Sequence, residues 1–343
     1  MTGNNDSVIP AGSLVLVTGI NGYVGSHVAD QLLKRGYRVR GTARSAAKLE
    51  DVSKTLRARN SDAIVEGVVI EDMQAEGAFL QAVQGECCWS RPCGIRSFDV
   101  ARPEQSDTGY YHWGQARVRS GSSHGHSQKG CLYLFCRDIA RFAPGVVGHI
   151  TASEWNVEAV KAAWAPPPYD QSRMLKVYAA SKVESEQWAW KYIQEKKPSF
   201  TFNTVLPGLV LGPILDGANS SMAGFVQGIH GGDENATQLI RNLPEATWHV
   251  DVEDTAIVHV AALLDDSVRG ERILTLGEPF TYQRAIETLR RIDPSKTDYA
   301  EPLPGDQENR VVADTSRAVE LLKKNGRDGV TSLEQSLSNQ FSR

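Results

Sequence analysis

Short, unbroken apolar runs alternate with segments of helical spacing over the first part of the chain and again over its second half. Leu14-Val-Leu-Val-Thr18 has the form of a strand buried on both faces. The residues that follow, through Lys34, repeat apolar positions on one helical face, and Gly36 closes the element. Tyr37 to Ala43 predicts a second strand and Ala63 to Ile70 a third, ending at Glu71-Asp72-Met73 with a helix expected from about Gln74. The pattern resumes at Thr151. A long helix is predicted around Val177-Tyr-Ala-Ala-Ser-Lys182, with later elements over Met222 to His230, Phe280 to Ile292, Ser316 to Lys324 and Ser332 to Phe341. Alternation of this kind places the chain in the α/β class.

Between about Glu86 and Arg141 the pattern fails. All five cysteines lie there, with seven Arg against one Lys and runs such as Arg119-Ser-Gly-Ser-Ser-His-Gly-His126 that follow neither period. Cys88-x4-Cys93 and Cys131-x4-Cys136, with His112, His124 and His126 between them, offer thiolate and imidazole donors. Zinc pairs usually sit closer, so no metal site is expected. The segment reads instead as an out-of-frame translation. Gln128 to Cys136, back-translated with permitted codons and read one base later, can spell K-R-V-V-Y-T-S-S-A, and Cys87 to Ile95 can spell V-V-G-H-V-H-A-A-S. Both strings are strand-like, as the flanking pattern requires at those places. The two central strands and the helix between them are therefore expected to be missing from the chain as it stands.

The clearest chemistry follows the first strand. In Gly19-Ile-Asn-Gly22-Tyr-Val-Gly25, Gly19 permits a tight turn and Gly22 lets backbone approach a pyrophosphate. Gly25 lets helix pack on strand, and the phosphates face the helix N-terminus. The second strand should end in an acidic residue if a ribose 2′-hydroxyl were bound. Instead no Asp or Glu occurs from Gly36 to Leu49, and Arg40, Arg44 and Lys48 stand there, a charge set suited to a 2′-phosphate. NADP is thus the expected cofactor rather than NAD. Asp72 either accepts from the adenine amino group or caps a following helix.

Tyr178 and Lys182 are four residues apart, on one helical face, so an ammonium sits beside a phenol. A neighbouring positive charge favours a deprotonated phenol, which makes it a usable general acid or base. A second copy of the spacing, Tyr192 with Lys196, lies further along the same helix among Lys191, Lys197 and Pro198, in a solvated end. Small neighbours at Ala179, Ala180 and Ser181 allow close approach only at the first copy, so Tyr178 and Lys182 are the expected catalytic pair.

Together these residues resemble the extended short-chain dehydrogenase/reductase superfamily of NAD-dependent epimerases and dehydratases. Within it they are most similar to the NADPH-dependent carbonyl reductases related to dihydroflavonol 4-reductase and to fungal and yeast aldehyde reductases. The likeness covers Gly12 to Gly85 and Thr151 onward. It rests on Thr18-Gly-x-x-Gly-x-x-Gly25, Arg44 with Lys48, Asp72-Met73, Tyr178-x3-Lys182, Asn203-x-Val-Leu-Pro-Gly208 and the segment Trp248 to His259. The resemblance implies a Rossmann-type doubly wound parallel sheet in an NADP-binding domain over 12–207. It also implies a smaller, mainly substrate-binding domain over 208–343, with a return to the Rossmann layer around 248–276. It implies that Gly19, Gly22, Tyr23, Val24, Gly25, Arg44, Lys48, Asp72, Pro207 and Gly208 bind the cofactor. The implied reaction is reduction of an aldehyde or ketone, with hydride from nicotinamide C4, a proton from Tyr178 and support from Lys182. Asp251, Asp254 and His259 are implied to tie the C-terminal part to the nucleotide domain, although His259 among Ile257, Val258 and Val260 reads as a core residue. Phe225 and Trp248 also read as core rather than pocket.

The chain departs from this family at one place. The Ser or Thr that should follow a central V-x-T-S-S strand has no counterpart at Leu134-Phe135-Cys136. One alternative is therefore an NADP-binding but non-catalytic or defective product. A sugar-nucleotide epimerase or dehydratase shares the Tyr and Lys, but goes with NAD, which Arg44 and Lys48 disfavour.

A net charge of −4 gives no electrostatic case for nucleic acid. No apolar run reaches the length of a membrane span, and the first twelve residues lack the basic start and apolar core of a signal peptide. A cytoplasmic enzyme on a small carbonyl substrate, monomeric or homodimeric, is the resulting expectation. Sequencing transcript and gene across codons 84–145 is expected to reveal compensating single-base changes that restore Y-T-S-S; an uninterrupted printed frame in the transcript would reject the out-of-frame reading.

Overall fold

A computed structural model describes residue 7 and residues 9–73, 75, 77–84, 145–167, 173–198, 200–218, 222–243, 247–304 and 308–342, and the backbone of 87–91 and 129–133. Seven parallel strands form the main sheet. They are β1 (Leu14–Thr18), β2 (Arg38–Ala43), β3 (Val65–Val69), β4 (Cys87–Arg91), β5 (Lys129–Tyr133), β7 (Thr201–Pro207) and β10 (Arg272–Thr275), in the spatial order β10-β7-β5-β4-β1-β2-β3. Order along the chain reverses between β1 and β4, so the sheet has a switch point beside the end of β1.

β1 explains why an uninterrupted apolar run was needed. Val15 and Val17 pack with helix α1 (Tyr23–Lys34) and helix α2 (Ala46–Arg59), whereas Leu14 and Leu16 face Phe79, Ala82 and Val83 on the other side. Every side chain of the strand is buried. Each fully buried aliphatic side chain contributes about 1.5–3 kcal/mol, so both faces of Leu14 to Val17 are stabilised by apolar residues. Helix α3 (Val157–Ala163) and helix α4 (Met174–Lys196) follow β6 (Val147–Ile150), which pairs in parallel with β12 (Arg310–Ala313).

The remaining elements build the C-terminal side. β8 (Leu209–Leu211), β9 (Thr247–Asp251) and β11 (Pro279–Phe280) form a three-stranded sheet. Their apolar face packs with α5 (Met222–Gly231), α6 (Glu234–Arg241), α8 (Tyr282–Ile292) and α10 (Leu333–Phe341) in a cluster including Leu209, Leu211, Val226, Ile240, Ile286 and Leu337. Helix α7 (Val252–Leu264) returns to the main sheet, where Val260 and Leu263 join the α1 cluster while Ile257 and Ala261 meet Val205 and α9 (Ser316–Lys324). Trp248 and Phe225 belong to different clusters and do not share one pocket.

Two sequence expectations need correction. The sheet is not short of its central strands: β4 pairs with β1 from Leu14↔Cys87 to Val17↔Ser90, and β5 pairs with β7 from Lys129↔Thr201 to Tyr133↔Val205. Ladder hydrogen bonds are made by backbone and do not depend on side-chain identity. An open edge on β1 or β7 would leave buried N–H and C=O groups unmatched at about 1–3 kcal/mol each. The helix expected from about Gln74 is instead a series of turns over 77–83, with Val83 N donating to Phe79 O at 3.0 Å. The out-of-frame reading of 92–128 and 134–141 lies outside the described residues, as do Cys93, Cys136, His112, His124, His126 and Leu134 to Cys136. Among the described residues no helix is long and apolar enough to cross a membrane.

Candidate active site at the carboxyl edge of the sheet

Because all seven strands run parallel, their carboxyl ends share one edge, and the sequence-predicted residues gather along it. Gly19 follows β1 directly and has φ +64°, a backbone region that a side chain disfavours. Its N–H donates to Thr42 Oγ1 at 3.2 Å, and Gly22 N donates to Gly19 O at 2.8 Å, closing the turn against β2. Gly22 is the N-cap of α1 and provides no side-chain cap, and the first N–H groups of an α-helix have no carbonyl one turn earlier within the helix to accept from them. An anion at this position meets those donors and the positive end of the helix dipole. Val24 and Gly25 are buried in the first turn. The Tyr23 hydroxyl donates to Gly212 O at 2.7 Å, so this side chain clasps the segment after β8 and leaves only its backbone for phosphate.

At the end of β2 the three basic residues separate. Arg40 stands in register with Glu66 on β3 and bonds it through Nε at 3.1 Å and a terminal nitrogen at 2.8 Å. It also donates to Ala82 O and Gln84 O at 3.2 and 2.5 Å. The sequence grouped Arg40 with the phosphate ligands; strand pairing instead commits it to Glu66. Arg44 and Lys48 are exposed and form no ion pair among the described residues. Ser45 caps α2 between them. Asp72 is exposed beyond the end of β3.

Tyr178 and Lys182 lie in the first half of α4, with Lys182 only 2% exposed and its ammonium 5.7 Å from the Tyr178 ring centre. The helix ends at Lys196 and β7 begins at Thr201, so α4 runs antiparallel to the strand and its first half lies toward the carboxyl edge. The second Tyr/Lys copy faces elsewhere: Tyr192 packs on Trp188 at 5.3 Å, and Lys196 is exposed at the helix end. Just before α4, Arg173 donates to Ala162 O, Ala163 O and Ala165 O at 3.0, 2.6 and 2.6 Å, capping α3 and setting where α4 starts.

Pro207 and Gly208 are buried where β7 passes into β8. A Cβ at Gly208 would overlap the carbonyl of Trp248, so only glycine lets the two backbones approach this closely. At the start of α7, Asp251 accepts from Glu253 N at 2.7 Å, and Asp254 accepts from Thr331 N at 2.6 Å while Arg327 bonds Glu253 at 2.7 Å. The first of these caps α7, and the other two join the helix to the C-terminal segment. His259 is fully buried, with Nδ1 2.7 Å from Thr255 O and its pKa lowered to about 4 by burial, in keeping with a core residue.

Sequence reasoning missed Glu186. It is 0% exposed and accepts from Thr204 Oγ1 at 2.7 Å, from Trp190 Nε1 at 3.1 Å, and from Arg272 through two nitrogens at 2.8 and 2.9 Å. Arg272 also donates to Ala152 O and stacks on the Trp155 ring at 3.7 Å. The available signal was spacing: Glu186 follows Lys182 by four residues and so shares the face of the Tyr178/Lys182 pair.

Residues 16–84 match the family model described as GDP-mannose 4,6 dehydratase. The chain is 33% identical to NAD-dependent epimerase/dehydratase tndE of Aspergillus flavipes, over 94% of this chain and 90% of that one. It is 32% identical to aldehyde reductase 2 of Sporidiobolus salmonicolor (97% and 96% covered) and 33% identical to ketoreductase adrE of Penicillium roqueforti (100% of each). Its fold is similar to the crystal structure of Gre2 from Candida albicans in complex with NADPH, at TM-score 0.76 and 24% identity over 97% of this chain and 98% of that one.

Burial, followed by the nearby Asp254 carboxylate, pushes the Asp251 pKa up from 3.8 to about 6. The folded state then holds a proton more readily than the unfolded chain, so this residue's contribution to stability is greatest below about pH 4 and is lost as pH rises through about 6. The loss amounts to ~3 kcal/mol. Asp251→Asn retains an oxygen for Glu253 N and removes the ionisation, so its Tm is expected to exceed the parent's at pH 7 and converge with it near pH 4. A Tm difference that stays constant from pH 4 to 8 would sever the link to Asp251 ionisation.

Proposed function

We propose, for a chain that belongs to the extended short-chain dehydrogenase/reductase family of NAD-dependent epimerases and dehydratases, an NADPH-dependent reduction of a small aldehyde or ketone to an alcohol. The observation that carries this reading is the Tyr178 phenol beside the buried Lys182 ammonium on the half of α4 that lies toward the sheet's carboxyl edge. Relatives named aldehyde reductase and ketoreductase support the direction of the chemistry.

Residues present in the fold fit the cofactor. The uncapped α1 N-terminus at Gly22 and the backbone of Tyr23, Val24 and Gly25 suit the pyrophosphate, and the Gly19 turn leaves it room. Arg44 and Lys48, exposed at the end of β2, suit a 2′-phosphate and favour NADPH over NADH. Asp72 is assigned to the adenine side, and Pro207 and Gly208 to the nicotinamide side. When bound, NADPH supplies the hydride to the carbonyl carbon. Tyr178 gives its phenolic proton to the carbonyl oxygen as negative charge develops there, and the Lys182 ammonium stabilises the phenolate left behind. In this reading 12–207 binds the nucleotide, 208–343 shapes the substrate side with a return at 248–276, and the enzyme works in the cytoplasm. The hydroxyl that would orient the carbonyl belongs just after the end of β5 at Tyr133, and we assign its loss to the out-of-frame segment over 86–141.

Tyr178→Phe is expected to lower kcat for NADPH-dependent carbonyl reduction by about 10²–10⁴ while NADPH affinity is retained. A parent protein that binds NADPH but turns over no carbonyl, even with Y-T-S-S restored, would favour the non-catalytic alternative. Removing both basic side chains (Arg44→Ala with Lys48→Ala) is expected to raise KM for NADPH at least about tenfold and to leave KM for NADH nearly unchanged. Equal effects on the two cofactors would exclude a 2′-phosphate site.

A further inference from the structure

The geometry points to Glu186 as a positioning residue for the reaction: its buried tie to Thr204 and Arg272 sets the axial register of the Tyr178/Lys182 pair against Pro207 and Gly208. This inference rests on the reductase reading for its kinetic consequence, but the tie itself is a matter of geometry.

Glu186 lies eight residues after Tyr178 on α4, and Thr204 lies three residues before Pro207 on β7. At helical rise the first interval spans ~12 Å. At strand rise the second spans ~10 Å. Helix and strand are antiparallel, so both intervals run from the same tie point toward the same carboxyl edge. A single junction therefore sets how far the phenol stands from the strand end that receives the nicotinamide side. Two further contacts of α4 with β7 are apolar: Ala189 shares a cluster with Phe202 and Leu206, and Trp190 meets Phe202 edge to face at 4.8 Å. Apolar contacts of this kind permit sliding, whereas the Glu186 carboxylate is directional and held from two strands. Thr204 and Arg272 are themselves cross-strand partners of β7 and β10, so the two donors move as one body. Gly208 N donates to Thr275 O at 3.1 Å three residues further along β10, which carries the same register to the site.

The placement of Glu186 also fits a role through Lys182 rather than in the chemistry. Its carboxylate is occupied by four bonds and is sealed from solvent, so it does not reach substrate. It stands one helical turn behind the buried Lys182.

The test uses the full chain with NADPH and a small aldehyde, comparing Thr204→Val, Thr204→Ser and Glu186→Gln with the parent. The readouts are kcat, KM, NADPH affinity, Tm and the ultraviolet titration of the Tyr178 phenol, taken as the difference from Tyr178→Phe. Thr204→Val removes one hydroxyl and keeps the ion pair, so it decides the matter if Glu186→Gln does not fold. The expected result is a drop in kcat of about tenfold, KM and NADPH affinity within about twofold, and a Tyr178 titration midpoint moved to higher pH. Thr204→Ser should restore both kcat and midpoint. A lowered Tm with kcat and midpoint unchanged in the variants that fold would overturn the inference and leave Glu186 purely structural. If the parent shows no turnover, the kinetic comparison is made on the chain with Y-T-S-S restored, where continued inactivity fails the reductase reading, and the titration midpoint still decides whether the tie sets the alignment of Tyr178 and Lys182.

Discussion

Between β1 and β7 the sheet has two strand positions, and the nucleotide-binding layer depends on both being filled. β1 carries the glycine turn and β7 carries Pro207 and Gly208; without β4 and β5 those two ends would have no common edge. Filling them is a backbone requirement. Parallel ladders satisfy N–H and C=O groups that helices on both faces have cut off from water, and the bonds are indifferent to the side chains that ride on them. Residues 87–91 and 129–133 meet that requirement even though their composition departs from that of the flanks.

With the layer closed, charge inside it has to be answered locally. Glu186 is met by Arg272, Thr204 and Trp190; Asp30 is met by Arg59, Lys34 and Asn60, which outweigh burial and hold its pKa near 2. Removing one partner from such a buried pair typically costs about 3–5 kcal/mol, because the other charge stays behind unmatched. The same pressure acts on His27, whose ring nitrogen lies 2.9 Å from Pro213 O and whose pKa burial lowers to about 4. These pairs join parts of the chain far apart in sequence: α1 with the end of α2, α4 with β7 and β10, and α1 with the segment after β8. Burial in the core makes each a fastener between elements rather than a surface ornament.

Much of the nucleotide half was legible in the sequence because its constraints are local. A strand buried on both faces must be an unbroken apolar run, so Leu14 to Val17 could be placed directly. A turn at φ +64° needs glycine, so Gly19 was recognisable, and i,i+4 spacing joined Tyr178 to Lys182 on one face. C-terminal helices followed from periodicity to within a residue or two. Arg40 was misassigned because its partner Glu66 is its neighbour only across β2 and β3, a relation that no local pattern contains. The turns over 77–83 were misread for a related reason: Phe79, Ala82 and Val83 bury against Leu14 and Leu16 without completing a helix, and burial won over period.

Residue order alone therefore sufficed for the class of fold, the glycine turn, the basic end of β2 and the four-residue spacing that sets Tyr178 beside Lys182. Each of these depends on contacts within one or two turns of chain. Folding in three dimensions settled that Arg40 is paired while Arg44 and Lys48 stay exposed, that the lysine of the Tyr178/Lys182 copy is the buried one, and that Glu186 ties α4 to two strands. Those outcomes depend on pairings across 18 to 86 residues, where strand register and burial select the partner and spacing along the chain carries no information.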